Sequence, residues 1–240
     1  MPGTSSTTGR WPSRSSGPNW PPPWAPDGSQ IAFLSDHDAS ASSIRTVWLV
    51  SADGGEPRQL TRLEPTVNAL SWSPDGQSIY YVGQQTDGTS DLFRVSLAGG
   101  APQALGANPH IGSGGALSPD GSLYAYPSYE RAWAFVEVIP TAGGTPRRLT
   151  TDTSMVYHYV MRWAPDGSRL IVRSQDLVNV TEETLEVTWP QGVWRPMTQT
   201  PRVSENLEAF SPDGKSMLIR AGTNRFRILS VPVTTLLTEK

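Results

Sequence analysis

The sequence predicts an all-β fold, a β-propeller with five recognisable four-stranded blades that make up either a whole ring or part of a six- to eight-bladed one. Three observations lead there. A Pro-Asp-Gly turn occurs five times, with its proline at Pro26, Pro74, Pro119, Pro165 and Pro212, at steps of 48, 45, 46 and 47 residues. A second, glycine-rich element follows the first four turns at a similar distance, and strand-length runs of β-branched and aromatic residues lie between the two. A repeat of about 40–50 residues built from short strands has the length of one propeller blade, whereas helical repeats of that size need long amphipathic segments that are missing here.

Each turn sits in a longer repeat. The segments are Trp24 to Phe33 (WAPDGSQIAF), Trp72 to Tyr81 (WSPDGQSIYY), Leu117 to Tyr126 (LSPDGSLYAY), Trp163 to Val172 (WAPDGSRLIV) and Phe210 to Ile219 (FSPDGKSMLI). A large apolar residue always stands two before the proline. Proline fixes φ near the type I value, aspartate suits the next position, and glycine takes the left-handed conformation that lets the strands pair again. Trp24, Trp72, Leu117, Trp163 and Phe210 are therefore expected at equivalent places between blades, with all five turns on one rim.

The second element reads Gly54-Gly55-Glu56-Pro57-Arg58-Gln59-Leu60-Thr61, then Gly99-Gly100-Ala101-Pro102-Gln103-Ala104-Leu105, then Gly143-Gly144-Thr145-Pro146-Arg147-Arg148-Leu149-Thr150. A degraded fourth copy runs from Gln191 to Thr198 and keeps Gly192, Arg195, Met197 and Thr198. Proline inside a sheet is tolerated chiefly at an edge, so this element is the outer strand of its blade. Runs such as Thr46 to Ser51, Asp91 to Ser96 and Trp133 to Ile139 supply the middle strands. The blades are expected over residues 20–61, 63–105, 107–150, 151–198 and 200–238. Residues 1–19 form a Ser/Thr/Gly/Pro-rich tail of disordered composition. Pro21, Pro22 and Pro23 offer no backbone donors where the first strand of blade one should be, so that strand is expected to be defective.

Trp-Ser/Ala-Pro-Asp-Gly, then an apolar strand, then Gly-Gly-x-Pro-x-x-Leu-Thr resembles the propeller repeats of the TolB family. It also resembles the propeller domains attached to prolyl-oligopeptidase-type serine peptidases and to some amidohydrolases. The resemblance covers nearly everything after residue 20. It implies a propeller fold and a choice of roles: scaffold for a protein or peptide partner, or a lid that gates a catalytic domain carried elsewhere. No cofactor is implied.

Composition narrows the partners. A formal charge of −3 with 17 arginines among 19 basic residues, scattered along the chain, leaves no electrostatic footprint for nucleic acid. The apolar runs are strand-length and broken by proline or charge, so membrane insertion is not expected. The absence of cysteine excludes disulfides and thiolate metal sites. No signal peptide is visible, which reads as cytoplasmic for the sequence as it stands and periplasmic if the true start lies further upstream.

Candidate chemistry is sparse. A serine hydrolase needs Gly-x-Ser-x-Gly between strand and helix; Gly112-Ser113-Gly114-Gly115 has the wrong spacing and precedes a strand, so a structural loop is expected. Histidines stand only at 37, 110 and 158. Ser35-Asp36-His37-Asp38 lacks the glycine and glutamate of a calcium loop and reads as a solvated hairpin. His158 lies five residues before Trp163, and Glu205 holds the same place before Phe210. On innermost strands of adjacent blades they would approach each other at the channel, with Arg162 on the face of His158 by the period-two rule. Such a group would bind a small anion or a metal, or simply line a wet channel as hydrogen-bonded polar residues. The turn aspartates Asp27, Asp75, Asp120, Asp166 and Asp213 form a conceivable cation ring, although an aspartate that caps its own loop explains them equally. Asn179-Val180-Thr181 is a glycosylation sequon only in a secretory setting.

The expected protein is thus a non-catalytic binding or scaffold module, with a detached substrate-gating propeller of a peptidase or amidohydrolase as the alternative. A lyase or hydrolase acting through the channel would need several converging histidines and acids. The defective first strand and the weak last one, Val233 to Leu237, point to an incompletely sealed ring that self-associates or depends on further sequence.

Overall fold

The computed structural model describes residues 23–35, 45–62, 67–84, 87–106, 110–112, 114–130, 133–149, 156–176, 181–197, 204–211, 215–222 and 227–232. They form five antiparallel sheets and, among the described residues, no helix. Blade 1 holds β1 (Gln30–Ser35), β2 (Thr46–Ser51) and β3 (Arg58–Gln59). Blade 2 holds β4 (Val67–Trp72), β5 (Ser78–Gln84), β6 (Ser90–Ser96) and β7 (Gln103–Ala104). Blade 3 holds β8 (Ala116–Leu117), β9 (Leu123–Glu130), β10 (Trp133–Pro140) and β11 (Arg147–Arg148). Blade 4 holds β12 (Val156–Trp163), β13 (Arg169–Asp176), β14 (Thr181–Thr188) and β15 (Trp194–Pro196). Blade 5 holds β16 (Ser204–Phe210), β17 (Ser216–Gly222) and β18 (Arg227–Pro232).

Every sheet is a meander in chain order, and in blades 2 to 4 the short fourth strand is outermost. The proline-bearing element pairs on one side only, as its composition requires. Leu60, Leu105, Leu149 and Met197 close it with backbone bonds to the carbonyls of Val47, Leu92, Val136 and Thr184, at 2.8–2.9 Å. Among the described residues the inner strand of blade 1 is represented by a bridge between Trp24 and Ile31, supported by the Ala32 N–H on the Pro23 carbonyl. Pro21 and Pro22, on which the expectation of a defective first strand rests, lie outside the described residues.

Side chains alternate between two faces of each blade, and the blades stack through them. Ala32, Val47 and Leu49 of blade 1 meet Trp72, Ile79, Tyr81 and Val95 of blade 2. The opposite face of blade 2, with Tyr80, Val82 and Leu92, meets Tyr124, Tyr126 and Ile139 of blade 3. The far face of blade 3, with Ala125, Val136 and Val138, meets Val160, Trp163, Leu170, Val172 and Val187 of blade 4. Each blade thus has a leading face turned to its predecessor and a trailing face turned to its successor. At the centre β8 packs against β4 and β12, which makes the first strands innermost.

The indoles fix the register of this stack. Trp72 donates Nε1–H to the carbonyl of Pro23, the residue before Trp24, at 2.9 Å. Trp163 donates to the carbonyl of Ala116, the residue before Leu117, at 3.0 Å. These two tryptophans are therefore equivalent, and both are buried, at 8% and 3% exposure. Leu117 is half-buried against the second interface, and the Phe210 side chain lies outside the described residues. Trp24 departs from the expectation of a buried position between blades: it is 56% exposed. A tryptophan at this place is covered by the preceding blade, and no described blade precedes it.

The turns line one rim and touch each other. A β-carbon at Gly121 would lie 2.7 Å from Cδ of Pro74, and at Gly76 and Gly167 it would stand 3.7 and 3.9 Å from Cδ of Pro26 and Pro119. Gly121 also has φ +75°, so both conformation and space demand glycine there. Within each turn the aspartate binds its own loop. Asp27 and Asp166 accept the N–H and hydroxyl of Ser29 and Ser168. Asp75 accepts the hydroxyl of Ser73 and the N–H of Gln77, and Asp120 accepts the Ser118 hydroxyl with the N–H and hydroxyl of Ser122. The fifth turn lies outside the described residues.

Replacing Trp72 or Trp163 with alanine is expected to cost roughly 3–5 kcal/mol, by the lost burial and the cavity left behind. Trp24→Ala is expected to cost under about 1 kcal/mol in dilute solution, because little is buried there. Urea midpoints of the three variants check this contrast, and a Trp24→Ala loss equal to the other two would contradict the exposed placement.

These hydrogen bonds also set an acid limit. The Ser29 N–H holds the Asp27 carboxyl below its ordinary value, and the Ser73 and Ser118 hydroxyls do the same for Asp75 and Asp120. At Asp166 partial burial opposes the shift, but Ser168 and Arg169 outweigh it. A carboxylate with a lowered folded pKa adds stability that is fully present above its unfolded value, about 3.9, and is lost as pH falls through the folded one. Unfolding free energy is therefore expected to hold above that value and to drop below it, with a shallower drop in the Asp75→Asn, Asp120→Asn double variant. Urea titrations along an acid pH series measure both slopes.

Candidate functional site

The up-and-down course of the strands leaves two rims of different character. One carries the Pro-Asp-Gly turns and the Gly-Gly turns, where Gly54, Gly99 and Gly143 donate to the carbonyls of Ser51, Ser96 and Pro140 at 3.0 Å. Its polar groups are spent on the turns themselves. Four of the five aspartates of the conceivable cation ring cap their own loops, Asp213 lies outside the described residues, and among the described residues no group of three His, Cys, Asp or Glu could hold a metal ion.

The other rim holds His158 near the start of β12, and here the structure separates residues that the sequence pattern placed together. His158 stands opposite Ser174 and Val160 opposite Val172, but the next pair is Arg162 with Ile171, so Met161 is an extra residue in the strand. A one-residue bulge reverses the alternation. Arg162 therefore shares a face with Tyr159 and Ile171, turned to blade 5, and is exposed, whereas His158 shares the face of Val160 and Trp163, turned to blade 3, and is 5% exposed. The expectation that the two lie on one face is corrected by this bulge. The ring of His158 rests 5.1 Å from that of Trp194, between centroids, inside the blade 3 to blade 4 interface. Glu205 pairs with Ala221 in blade 5, and its side chain lies outside the described residues. Bulges recur on the innermost strands at Ala69, which has φ +50°, and at Glu208.

A charged network that the sequence did not reveal lies on blade 3. Arg148 of β11 stands opposite Glu137 of β10, which in turn stands opposite Tyr126 of β9. The guanidinium donates to Glu137 Oε1 at 3.0 and 3.2 Å and also to Glu130, and its carbon sits 3.8 Å above the Phe135 ring. Glu137 is 4% exposed, so the arginine supplies the pairing that a buried carboxylate needs. In blade 4, Arg169 reaches the buried Glu186 at 3.3 Å. Both are cross-strand pairs, readable only once the register is known, because their sequence separations of 11 and 17 fit no local rule.

The glycine-rich stretch is shaped by aromatic rings. A β-carbon at Gly112 would fall 2.1 Å from the Tyr129 ring, and at Gly115 it would fall 2.6 Å from the ring of Tyr124 and 2.8 Å from the Ala125 carbonyl. Only glycine lets the chain pass so close. Burial pushes the Tyr124 phenol above its ordinary pKa, so the hydroxyl beneath Gly115 stays protonated. The stretch leads directly into β8, and Ser113 lies outside the described residues. So do the hairpin carrying His37 and the Asn179-Val180 part of the sequon, while His110 is exposed and gives its carbonyl to the Tyr129 N–H at 2.9 Å.

Comparison with known proteins follows the fold. The family model of the TolB beta propeller domain matches residues 6–180. Over 69 residues the chain is 39% identical to the uncharacterized peptidase YuxL of Bacillus subtilis, a stretch that is 29% of this chain and 10% of that protein. The crystal structure of TolB from Acinetobacter baumannii superposes with a TM-score of 0.68 at 18% identity, over 89% of this chain and 52% of that one. An oligogalacturonate lyase solved in complex with manganese gives a TM-score of 0.71 at 17% identity, over 89% of this chain and 62% of that one. At such identities the two solved structures speak for the fold alone, and the chain spans less than two thirds of the length of each of these proteins. With the repeat motif, the blade architecture and the family match all in agreement, the chain belongs to the TolB beta-propeller domain family.

Proposed function

We propose that the chain is a non-catalytic binding module that presents a protein or peptide partner to the rim opposite the Pro-Asp-Gly turns. The observation behind this reading is a contrast in loop length. Five residues separate the first and second strands in each of blades 2 to 5, whereas the hairpins between second and third strands span 10, 5, 2, 4 and 4 residues from blade 1 to blade 5. One rim repeats its chemistry without change; the other varies it from blade to blade. Variable loops on a rigid sheet scaffold are where recognition surfaces are usually built. The varied rim also receives the passages between blades, including the His110 and Gly112 region.

A substrate-gating propeller is the second reading, favoured by the likeness to the peptidase YuxL. In that case the partner of the varied rim is a catalytic domain or the peptide on its way to one. Capture on the immobilised folded chain, followed by mass spectrometry, separates the two. A bound protein or peptide lost when the 36–45 hairpin is cut to two residues, but retained when turn-rim residues are changed, supports the binding role.

Neither reading gives the isolated chain a reaction of its own, since Gly112 to Gly115 passes into a strand and His158 is enclosed between blades. No turnover of chromogenic ester or peptide substrates is expected. Activity that survives repurification and disappears in Ser113→Ala or His158→Ala would defeat the proposal.

A further inference from the structure

Six aspartates among the described residues are followed by glycine: Asp27, Asp53, Asp75, Asp87, Asp120 and Asp166. Glycine has no side chain to shield its amide nitrogen from the carboxyl before it, so each pair is open in principle to ring closure between the two. In five of them the fold ties the carboxylate down. Four belong to the Pro-Asp-Gly turns, and the fifth, Asp87, accepts the N–H and the hydroxyl of Thr89 at 2.9 and 2.6 Å. The Ser29 N–H at Asp27, and the Ser73, Thr89 and Ser118 hydroxyls at Asp75, Asp87 and Asp120, hold these carboxyls below their ordinary value. Asp53 is different. It is exposed, and among the described residues no donor reaches its carboxylate; its backbone N–H alone is held, by the Ser51 hydroxyl at 3.2 Å.

The turn around Asp53 is also the looser one. Its Gly54 N–H closes on the Ser51 carbonyl at 3.0 Å, just as the glycines of the Pro-Asp-Gly turns close on theirs. Ala52, however, stands where those turns have proline, so φ is not locked there. Two glycines follow, with φ +89° at Gly54 and +109° at Gly55, and a β-carbon at either would meet nothing within 4 Å. The corresponding residues of the Gly-Gly turns in blades 2 and 3 are Ala98 and Ala142.

We infer that Asp53 is a modification site, at which the chain converts spontaneously to isoaspartate and becomes a substrate for an S-adenosylmethionine-dependent protein carboxyl methyltransferase. The Gly54 amide nitrogen attacks Cγ of the protonated carboxyl. A Cγ–N bond forms, and the amide proton leaves with the carboxyl hydroxyl as water. Hydrolysis of the resulting succinimide at its Cα-side carbonyl breaks the original peptide C–N bond, so the chain now runs through the former side chain and the α-carboxylate is free to accept the methyl group. Water leaves and water returns, and nothing is oxidised or reduced. In the five capped pairs the same attack must first break the hydrogen bonds that the loop makes to the carboxylate. The new linkage lengthens the backbone by one methylene between β2 and β3, on the turn rim, so the inference stands apart from the proposed binding role of the other rim.

The test is to hold the folded chain at neutral pH and physiological temperature for several weeks, digest it with trypsin, and methylate the peptides with labelled S-adenosylmethionine and a protein-isoaspartate methyltransferase. The peptide from Thr46 to Arg58 contains no aspartate besides Asp53. Its label is expected to exceed that of the peptides carrying Asp27, Asp75 with Asp87, Asp120 or Asp166 by about tenfold, the factor for two hydrogen bonds that must break first. Ageing in urea is expected to bring all of these peptides close together, because the contrast comes from the fold. Asp53→Ala, which repeats the residue of blades 2 and 3, is expected to remove the label from its peptide and leave the urea midpoint unchanged. An unlabelled Thr46 to Arg58 peptide overturns the inference, as does equal labelling at Asp27 in the folded chain or an unchanged contrast in urea.

Discussion

Everything in this fold depends on a sheet meeting its neighbour face to face. A four-stranded meander satisfies its backbone within itself except at its edges, but it presents apolar side chains on both sides and can bury neither alone. The stack solves this, and the tryptophan N–H to inner-strand carbonyl bond pins its register. The bond joins a side chain at the end of one inner strand to a carbonyl at the inner strand of the preceding blade, and the Pro23 carbonyl accepts the Ala32 N–H as well. Burial supplies most of the stabilisation, at about 1.5–3 kcal/mol for each large apolar side chain removed from water. The indole bond adds direction, and direction keeps blades 1 and 2 in the same relation as blades 3 and 4.

The two rims differ in how far their chemistry is spent on the fold itself. On the turn rim, proline, aspartate and glycine satisfy one another locally, and each turn also leans on the previous one through its glycine. A surface so closely self-satisfied has little chemistry left for a ligand. The opposite rim is free of those demands, and its hairpins differ in length and composition. The same fold is found in proteins as different as TolB and an oligogalacturonate lyase, so the fold by itself assigns no chemistry to either rim.

Local chemistry was legible in the sequence and long-range geometry was not. Pro-Asp-Gly with an apolar residue two before it determines a turn within ten residues, so the blade period, the rim and the outer strand all follow from spacing. The position of Arg162 depends on a bulge at Met161, and no residue in Val156–Trp163 announces one; a single extra residue was enough to put Arg162 and His158 on opposite faces. The Glu130, Arg148 and Glu137 group was hidden for a related reason, since its members come from three strands whose register the sequence does not print. Trp24 reads like Trp72 and Trp163 in every local respect, and only the neighbour of its blade distinguishes it.

Gly28 and Gly121 share one motif and nearly one φ, at +72° and +75°, yet a methyl group at the first meets nothing within 4 Å and at the second collides with Pro74. Mutational drift should therefore be uneven along the array. The turn at Gly121 must keep its glycine on both counts, because Pro74 is its wall, whereas at Gly76 and Gly167 the neighbouring prolines stand at ordinary contact distance and at Gly28 only the backbone conformation asks for glycine. Two copies of one motif can thus carry different constraints, one set by the chain's own conformation and the other by a neighbouring turn as well.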